Sequence, residues 1–311
     1  MAFTPETCVA IILVNWNGYE FTADCLTSLR NVDYPDFTVF VVDNASENAE
    51  GGELKANFPE IELIQNLDNL GFAGGNNVGI RKAVEDGYSH VMLLNNDTVV
   101  EPDFLGQMIR KFHDNPKIGI LQPLIFFLHD RNQIWSAGGK WNRFFCRAIT
   151  VGDRKFKENF KAENTTLDWA TGCCMLIRRE ALLAVGLLNE SYFTYFEDVE
   201  WSLRFRNKEY QIELASEAVI YHEAGASSKK KNSEGTLSAS VFYYLVRNQF
   251  YLIRSQANTV ETVFAGSYHI FRFLGWMGYF CLRGRFQKFK AVSKGMRDGW
   301  NLSLQDAPAW R

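Results

Sequence analysis

The stretch LLNNDTVV, residues 93–100, decides how this chain is read. It ends an apolar, strand-like run on the polar triplet Asn95-Asn96-Asp97, with Pro102 shortly after. Open α/β sheets bind ligands where buried strands end at their carboxyl side. A carboxylate there suits a divalent cation that itself holds phosphate oxygens. Asn and Asp also favour turns and caps for local reasons, so the triplet alone reads equally well as a strand-to-helix turn. Its neighbours weigh the choice.

Working outward, VAIILV (9–14) is continuously apolar and rich in β-branched residues, the pattern of a strand covered on both faces. Helical spacing follows over 21–29. TVFVV (38–42) is a second buried strand, 61–64 a short third and 90–94 a fourth. Between the last two, residues 71–79 read as a glycine- and asparagine-rich turn that feeds a helix through about Glu85. Strands alternating with helices predict a Rossmann-like, mostly parallel sheet with right-handed crossovers. The polar clusters after the first, second and fourth strands then gather along one sheet edge. Residues 118–168 read as hairpins and loops, 171–177 as another buried strand, 196–208 as a helix and 211–221 as one or two strands. A lysine-rich polar loop is expected over 227–235, and helices over 238–254 and roughly 260–285.

With 311 residues, 47% hydrophobic and 22% charged, the chain has room for one large domain plus a helical appendage. A net charge of −3 argues against a general nucleic-acid binder. The six cysteines lack zinc-type spacing, and Cys173-Cys174 sit inside an apolar run as small packed residues. That usage fits a reducing cytosol. No basic segment followed by a cleavage-type site opens the chain, so no secretory leader is expected. No uncharged stretch approaches the ~20 apolar residues of a spanning helix.

Four constellations carry candidate chemistry. Asp43, in VVDNAS, can accept a hydrogen bond from a ribose hydroxyl or a pyrimidine N3–H, or can cap a helix. In NLGFAGGNNVG (69–79) the glycines permit close backbone approach, and the following helix offers free N–H groups to an anion. The segment lacks both the Walker Lys-Ser/Thr end and the G-x-G-x-x-G spacing. YFEDVEW (195–201) packs three carboxylates into four residues, which a helix N-terminus favours. Asp198, flanked by Tyr195, Phe196 and Trp201, can have a raised pKa and take a hydroxyl proton near neutral pH. His222, in YHEAG, reads either as a packed residue or, with Asp97, as a metal ligand.

In this order, these segments resemble family-2 glycosyltransferases of the GT-A fold, and more closely the rhamnosyltransferase-like members that build bacterial surface polysaccharides. The resemblance rests on VNWNG around Asn15, VVDNAS, NLGFAGGNNVG, LLNNDT, DWATGCCMLIRR from Asp168, YFEDVEWSLR, the YHEAG histidine and YYLVRN at 243–248. It covers about residues 9–254. It implies a GT-A catalytic domain over 1–235, with a nucleotide-binding half over about 1–115 and an acceptor half over about 116–235, and a helical region over 236–311. It further implies that Asn15, Asp43, Asn44, Gly71, Phe72, Gly74, Asn76, Asn95, Asn96 and Arg247 face the donor. Trp169, Gly172 and Glu197 would border the acceptor. Asp97 and His222 would hold Mg2+ or Mn2+, and Asp198 would be the base of an inverting displacement.

One departure is Asn95, which stands where the family has the first acid of D-x-D. It lowers the charge offered to a metal, or turns this position toward the sugar, and it leaves room for a non-catalytic nucleotide-sugar-binding relic. A sugar-phosphate nucleotidyltransferase would carry a basic, glycine-rich loop after the first strand, where VNWNGYE has neither Lys nor Arg. The Gln-x-x-Arg-Trp of processive synthases is missing, which favours transfer of one sugar or a short run. By resemblance the favoured donor is dTDP-rhamnose, with UDP-hexoses including galactofuranose open. The acceptor would be a glycan or lipid-diphosphate-linked hydroxyl.

In residues 261–311, aromatics concentrated at 264–280 precede most of the basic residues, and the acids are Glu261, Asp298 and Asp306. This suits peripheral attachment to an anionic membrane from the cytoplasmic side. Packing on the catalytic domain or on a second subunit is an equal reading.

Overall fold

The computed structural model describes residues 7–161, 166–223, 234 and 237–310. The lysine-rich loop expected over 227–235 lies almost entirely outside the described residues, as do Ala224 and Gly225 of YHEAG. In chain order the elements are β1 (Val9–Asn15), α1 (Tyr19–Leu29), β2 (Phe37–Asp43), α2 (Glu50–Asn57), β3 (Glu62–Gln65), α3 (Gly71–Glu85), β4 (His90–Leu94), β5 (Thr98–Val100), α4 (Phe104–Asp114) and β6 (Ile118–Phe127). Then follow β7 (Ile134–Ser136), β8 (Gly139–Asn142), β9 (Arg147–Thr150), β10 (Cys174–Arg178), α5 (Arg179–Val185), α6 (Glu197–Asn207), β11 (Gln211–His222), α7 (Ala239–Gln256), α8 (Thr259–Leu282) and α9 (Phe286–Asn301).

The central sheet runs β3-β2-β1-β4-β10-β6-β11-β5, with β7 on β6. Among the described strands, β10, β5 and β7 run against the common direction. The sheet is therefore mixed but mostly parallel, as expected. β1 shows why its sequence is apolar throughout. Val9, Ile11 and Leu13 face one buried cluster with Leu26, Leu54 and Phe104 from α1, α2 and α4. Ala10 and Ile12 face another with Ile80, Leu182 and Trp201 from α3, α5 and α6. Side chains alternate with a period of two, so a strand covered on both faces needs apolar residues at every position.

Three expectations are corrected. Residues 118–168 are not only hairpins and loops: β6 is a ten-residue, fully buried central strand. Gln122-Pro123 disguised it, because proline cannot donate to a ladder. Pro123 is tolerated where β11 bulges between Ala215 and Val219, so the ladder is already broken there. The β8–β9 hairpin in the same region is as expected. Residues 71–79 are not a turn: α3 begins at Gly71 itself. A Cβ at Gly79 would stand 2.6 Å from Ile12 of β1, so the glycine serves helix-to-strand packing. Finally, the C-terminal region holds a third helix, α9. It presses on α7 so closely that a Cβ at Gly299 would meet Phe250 at 2.8 Å.

The three C-terminal helices share their own cluster, built on Val246, Phe250, Ile253, Phe273, Phe280 and Val292. After α9 the chain returns to the sheet domain. Leu187 N donates to Pro308 O, and Trp310 Nε1 donates to Leu182 O. No helix among the described residues is long and apolar enough to cross a membrane.

Candidate active site

The carboxyl ends of β1, β2 and β4 open on a cleft of about 510 Å³. Its walls include Trp16, Asn44, Gly71, Phe72, Asn76, Asn95, Asn96, Asp97, Phe193, Tyr195 and Tyr244. An open depression of about 680 Å³ at the amino ends of the strands, lined by Cys8, Asp36 and Tyr88, holds none of the residues singled out above.

A polar network underlies one wall. Asn15 is wholly buried, and its Nδ2 donates to Asp43 Oδ1 at 3.1 Å, to Ser46 Oγ at 3.0 Å and to Glu50 Oε2 at 3.0 Å. Thr22 Oγ1 donates to Asn15 Oδ1 and accepts from Asn96 Nδ2, both at 2.8 Å. The end of β1 is thereby tied to the ends of β2 and β4. Asn15 is the hub that orients Asp43, and it does not itself line the cleft. Asn44 Nδ2 donates to Asn69 Oδ1 and Gly71 O, while its Oδ1 accepts from Asn66 Nδ2 and Leu70 N. Gly71 has φ +71°, and a Cβ there would meet Phe193 at 2.5 Å. Gly74 packs on Leu70 rather than lining the cleft.

The triplet after β4 sits against the segment leading into β10. Asn95 N donates to Cys173 O at 2.8 Å, and one residue earlier Gly172 N donates to Asp198 Oδ2 at 2.9 Å. A Cβ at Gly172 would stand 2.9 Å from the Phe72 ring and 3.5 Å from Asp198 Cβ. Phe72, Gly172 and Asp198 are thus in one line from the cleft wall to the start of α6. Burial holds the Cys173 thiol well above its ordinary range, and the carboxylates of Asp97 and Asp198 both add to the effect. Both acids are therefore near enough to Cys173 for their charges to act on it.

Asp97 and His222 meet because β5 pairs antiparallel with β11, opposing Thr98 and His222. Asp97 Oδ1 lies 3.1 Å from His222 Nε2, and Asp97 O accepts from Glu223 N. Trp135 stands edge-on to the imidazole at 4.4 Å. His222 Nδ1 is buried without a partner. No group of three or more His, Cys, Asp or Glu side chains that could hold a metal occurs among the described residues. The donor set still fits a shared cation. Two ligands at ~2.1 Å on adjacent octahedral positions are separated by ~3.0 Å, and Mg2+ characteristically takes few protein ligands beside substrate phosphates and water.

Burial raises the Asp198 carboxyl above the usual aspartate range, opposed by N–H donors from Gly172 and Val199. Glu197 is pushed up further, by burial and then by the charge on Asp198, and its Oε2 has no partner. Of the adjacent pair, Asp198 receives the hydrogen bonds that favour the charged form, while Glu197 Oε2 receives none. Glu200 is also raised by burial but is paired with Arg204 at 2.9 Å. The three carboxylates of YFEDVEW thus have three different situations.

The segment before α6 is strained. Phe193, Tyr195 and Phe196 have φ of 63°, 70° and 71°. For bulky residues such angles cost ~1–3 kcal/mol each and persist only where surroundings enforce them. Here α7 enforces them. Asn248 is fully buried, and its Nδ2 donates to Tyr192 O at 2.9 Å, Thr194 O at 2.7 Å and Tyr195 O at 2.8 Å. Arg247, expected to face the donor, is engaged within the protein. Its Nη2 donates to Ser191 O and Tyr192 O, its Nε donates to Asn248 Oδ1, and Tyr243, Tyr244 and Tyr251 enclose its guanidinium. Trp169 is likewise packed, under Gly139 and beside Val199, Leu203 and Leu252, with Nε1 donating to Lys140 O. Nothing local in YYLVRN marks Asn248, because the carbonyls it holds lie 53–56 residues away in sequence.

The model of glycosyl transferase family 2 matches residues 10–186, more than half of the chain. A low-salt glycan biosynthesis hexosyltransferase, Agl10 of Haloferax volcanii, is 27% identical over 66% of this chain, and the match spans 63% of that relative. A dTDP-rhamnosyl transferase, RfbF of Shigella flexneri, is 26% identical over 70% of each chain. Among solved structures, the mannosyltransferase PcManGT of Pyrobaculum calidifontis, in complex with GDP-Man and Mn2+, superposes with a TM-score of 0.57 at 12% identity, covering 96% of this chain and 89% of that one. The fold is GT-A, as expected from the sequence.

Proposed function

This chain belongs to glycosyl transferase family 2, and from that premise we propose that it moves a sugar from a nucleotide-diphosphate donor to a hydroxyl of a glycan or lipid-linked acceptor, with inversion. The observation that carries the reading is the hydrogen bond from Gly172 to Asp198, one residue from Cys173, whose carbonyl receives the first amide of the Asn95–Asp97 edge. On this reading it links the candidate base to the candidate diphosphate site through two adjacent residues. On this reading the nucleotide enters the cleft along Asn44, Asn76 and Asn96, and Asp43, buried next to Asn44 and oriented by Asn15, would contact the base.

The acceptor hydroxyl attacks the anomeric carbon as the bond to the diphosphate breaks. Asp198 receives the hydroxyl proton, a role typically worth ~10²–10⁴-fold in rate. Its raised affinity for protons brings it nearer to working pH. A divalent cation held by Asp97 and His222 would neutralise the departing diphosphate. The Shigella relative's name supports dTDP-rhamnose as the first donor to test, followed by UDP-hexoses including galactofuranose. Catalysis is assigned to residues 1–235, and 236–311 form a helical region with its own apolar cluster.

A panel of nucleotide sugars with Mn2+ or Mg2+, read as nucleoside diphosphate release, tests the reading. At least one donor should turn over, and Asp198→Asn should lower that rate ~10²–10⁴-fold. Full turnover by the variant would remove Asp198 from the mechanism; no turnover of any donor despite donor binding would favour a relic.

A further inference from the structure

We propose that the outer face of α8, with the tip of the β8–β9 hairpin, is a docking surface for an anionic lipid bilayer. Beyond its first residue, the exposed positions of α8 are Val260, Val263, Phe264, Ser267, Phe271, Leu274, Gly275, Gly278, Tyr279, Cys281 and Leu282. At 100° per residue they fall on one side of the helix. None of these exposed residues is charged, over a helix of 24 residues, about 36 Å; Glu261 and Arg272 lie at the edge of that side. Phe271 is 74% exposed and Leu282 89%. The opposite side of α8 is already used, with Ala265, His269, Phe273 and Phe280 buried.

The hairpin extends this face. Phe144 and Phe145, both exposed, stack on Phe264 and Tyr268 at 4.5 and 5.1 Å, and the buried His269 ring anchors the tip through a 2.9 Å hydrogen bond with Phe145 O. Basic residues border the apolar area. Arg143, Arg147 and Arg272 lie along the hairpin edge, and Arg283 and Arg285 lie at the carboxyl end. The acids within α8 and α9 are engaged: Glu261 closes the α8 capping box and pairs with Arg143, and Asp298 pairs with Arg297. An apolar strip with a cationic border matches the acyl boundary and headgroups of an anionic membrane. A second copy of this chain would bring the same like-charged border against itself.

β8 also leads from this surface toward Asp198. β8 starts at Gly139, against Trp169, and Trp141 N donates to Asp168 Oδ2. Trp169 packs on Val199, next to Asp198. One four-residue strand, β8, ~13 Å long, therefore joins the docking face to the acceptor side. Resting on the glycosyltransferase reading, this makes the acceptor a membrane-held one, carried on a lipid and presented at the bilayer surface.

The full chain is sedimented with phosphatidylcholine vesicles, with and without phosphatidylglycerol, at low and raised salt, and nucleoside diphosphate binding is measured on the same sample. Binding to the anionic vesicles is expected, weakening with salt. Phe271→Glu combined with Leu282→Glu should reduce it about tenfold or more at an unchanged melting temperature. Arg283→Gln, which leaves the apolar face intact, should weaken it about fivefold. Failure to sediment with either vesicle overturns the proposal, as does equal binding by both variants. A concentration-dependent dimer that Phe271→Glu dissolves, without vesicle binding, would assign the face to a second copy instead. Vesicle binding without nucleotide binding would fault the glycosyltransferase reading and leave the docking surface standing.

Discussion

Asn248→Ala should uncouple catalysis from stability. The wild-type amide donates to the carbonyls of Tyr192, Thr194 and Tyr195 at 2.7–2.9 Å and so holds three left-handed residues in the segment that delivers Asp198. Tyr192 O keeps a bond from Arg247, but the other two carbonyls lose this donor. At ~1 kcal/mol net per hydrogen bond, about 3 kcal/mol of local restraint disappears. That is comparable to the strain stored at Phe193, Tyr195 and Phe196, ~1–3 kcal/mol each. The segment therefore relaxes rather than the protein unfolding, because releasing the strain repays most of the loss. A catalytic group displaced by ~1 Å costs about 10²-fold in rate. Steady-state kinetics should show kcat down by about that factor, donor KM changed less than threefold on the same reasoning that the nucleotide wall is untouched, and a melting temperature lower by only a few degrees. Asn248→Asp, which places a carboxylate against the same carbonyls, should do no better. Unchanged kcat with a large fall in melting temperature would refute the positioning argument and leave Asn248 a purely structural residue.

Three further predictions concern the acids. Burial raises Asp198, and a base works deprotonated, so kcat/KM should rise with pH through a limb displaced above the ordinary aspartate value near ~3.9; a limb at or below that value would contradict the assignment. Glu197 is raised too, so its contribution to stability is full below its unfolded pKa and is lost as pH rises through its folded one. Glu197→Gln should accordingly gain melting temperature over the wild type as pH increases, and a constant difference across pH would count against a buried, protonated Glu197. Asp97→Asn should weaken Mn2+-dependent binding of a nucleoside diphosphate about tenfold in calorimetry, while metal-free binding changes little; equal loss with and without the ion would separate Asp97 from the cation.

Much of the donor half was legible because its signals are local. Each apolar strand of β1, β2 and β4 is one unbroken run, and the polar residues following them occur at the ends of those runs. The alternation of strand and helix then places Asp43 and Asp97 on the same edge whatever the side chains do. The acceptor side was harder. β6 was hidden by Pro123, whose tolerance depends on a bulge in β11, a partner some 90 residues further along the chain. The glycines of α3 look like a turn until Ile12 is seen across from Gly79. Arg247 carries a charge that suits a phosphate, and only its three tyrosines and two carbonyl acceptors show that it faces inward.

From composition and order alone, the chain determined its α/β class, its family likeness, the edge where a ligand would sit, and the candidacy of Asp97, Asp198 and His222. These follow from hydrophobic period and from residue chemistry, which are written locally. Tertiary structure decided which of the donors meet: His222 with Asp97 through the β5–β11 pairing, Gly172 with Asp198 through the entry to β10, and Asn248 with the left-handed turn before α6. It also decided which side of α8 is left open. Those are contacts between distant segments, and their free energy belongs to the packed arrangement rather than to any one stretch of sequence.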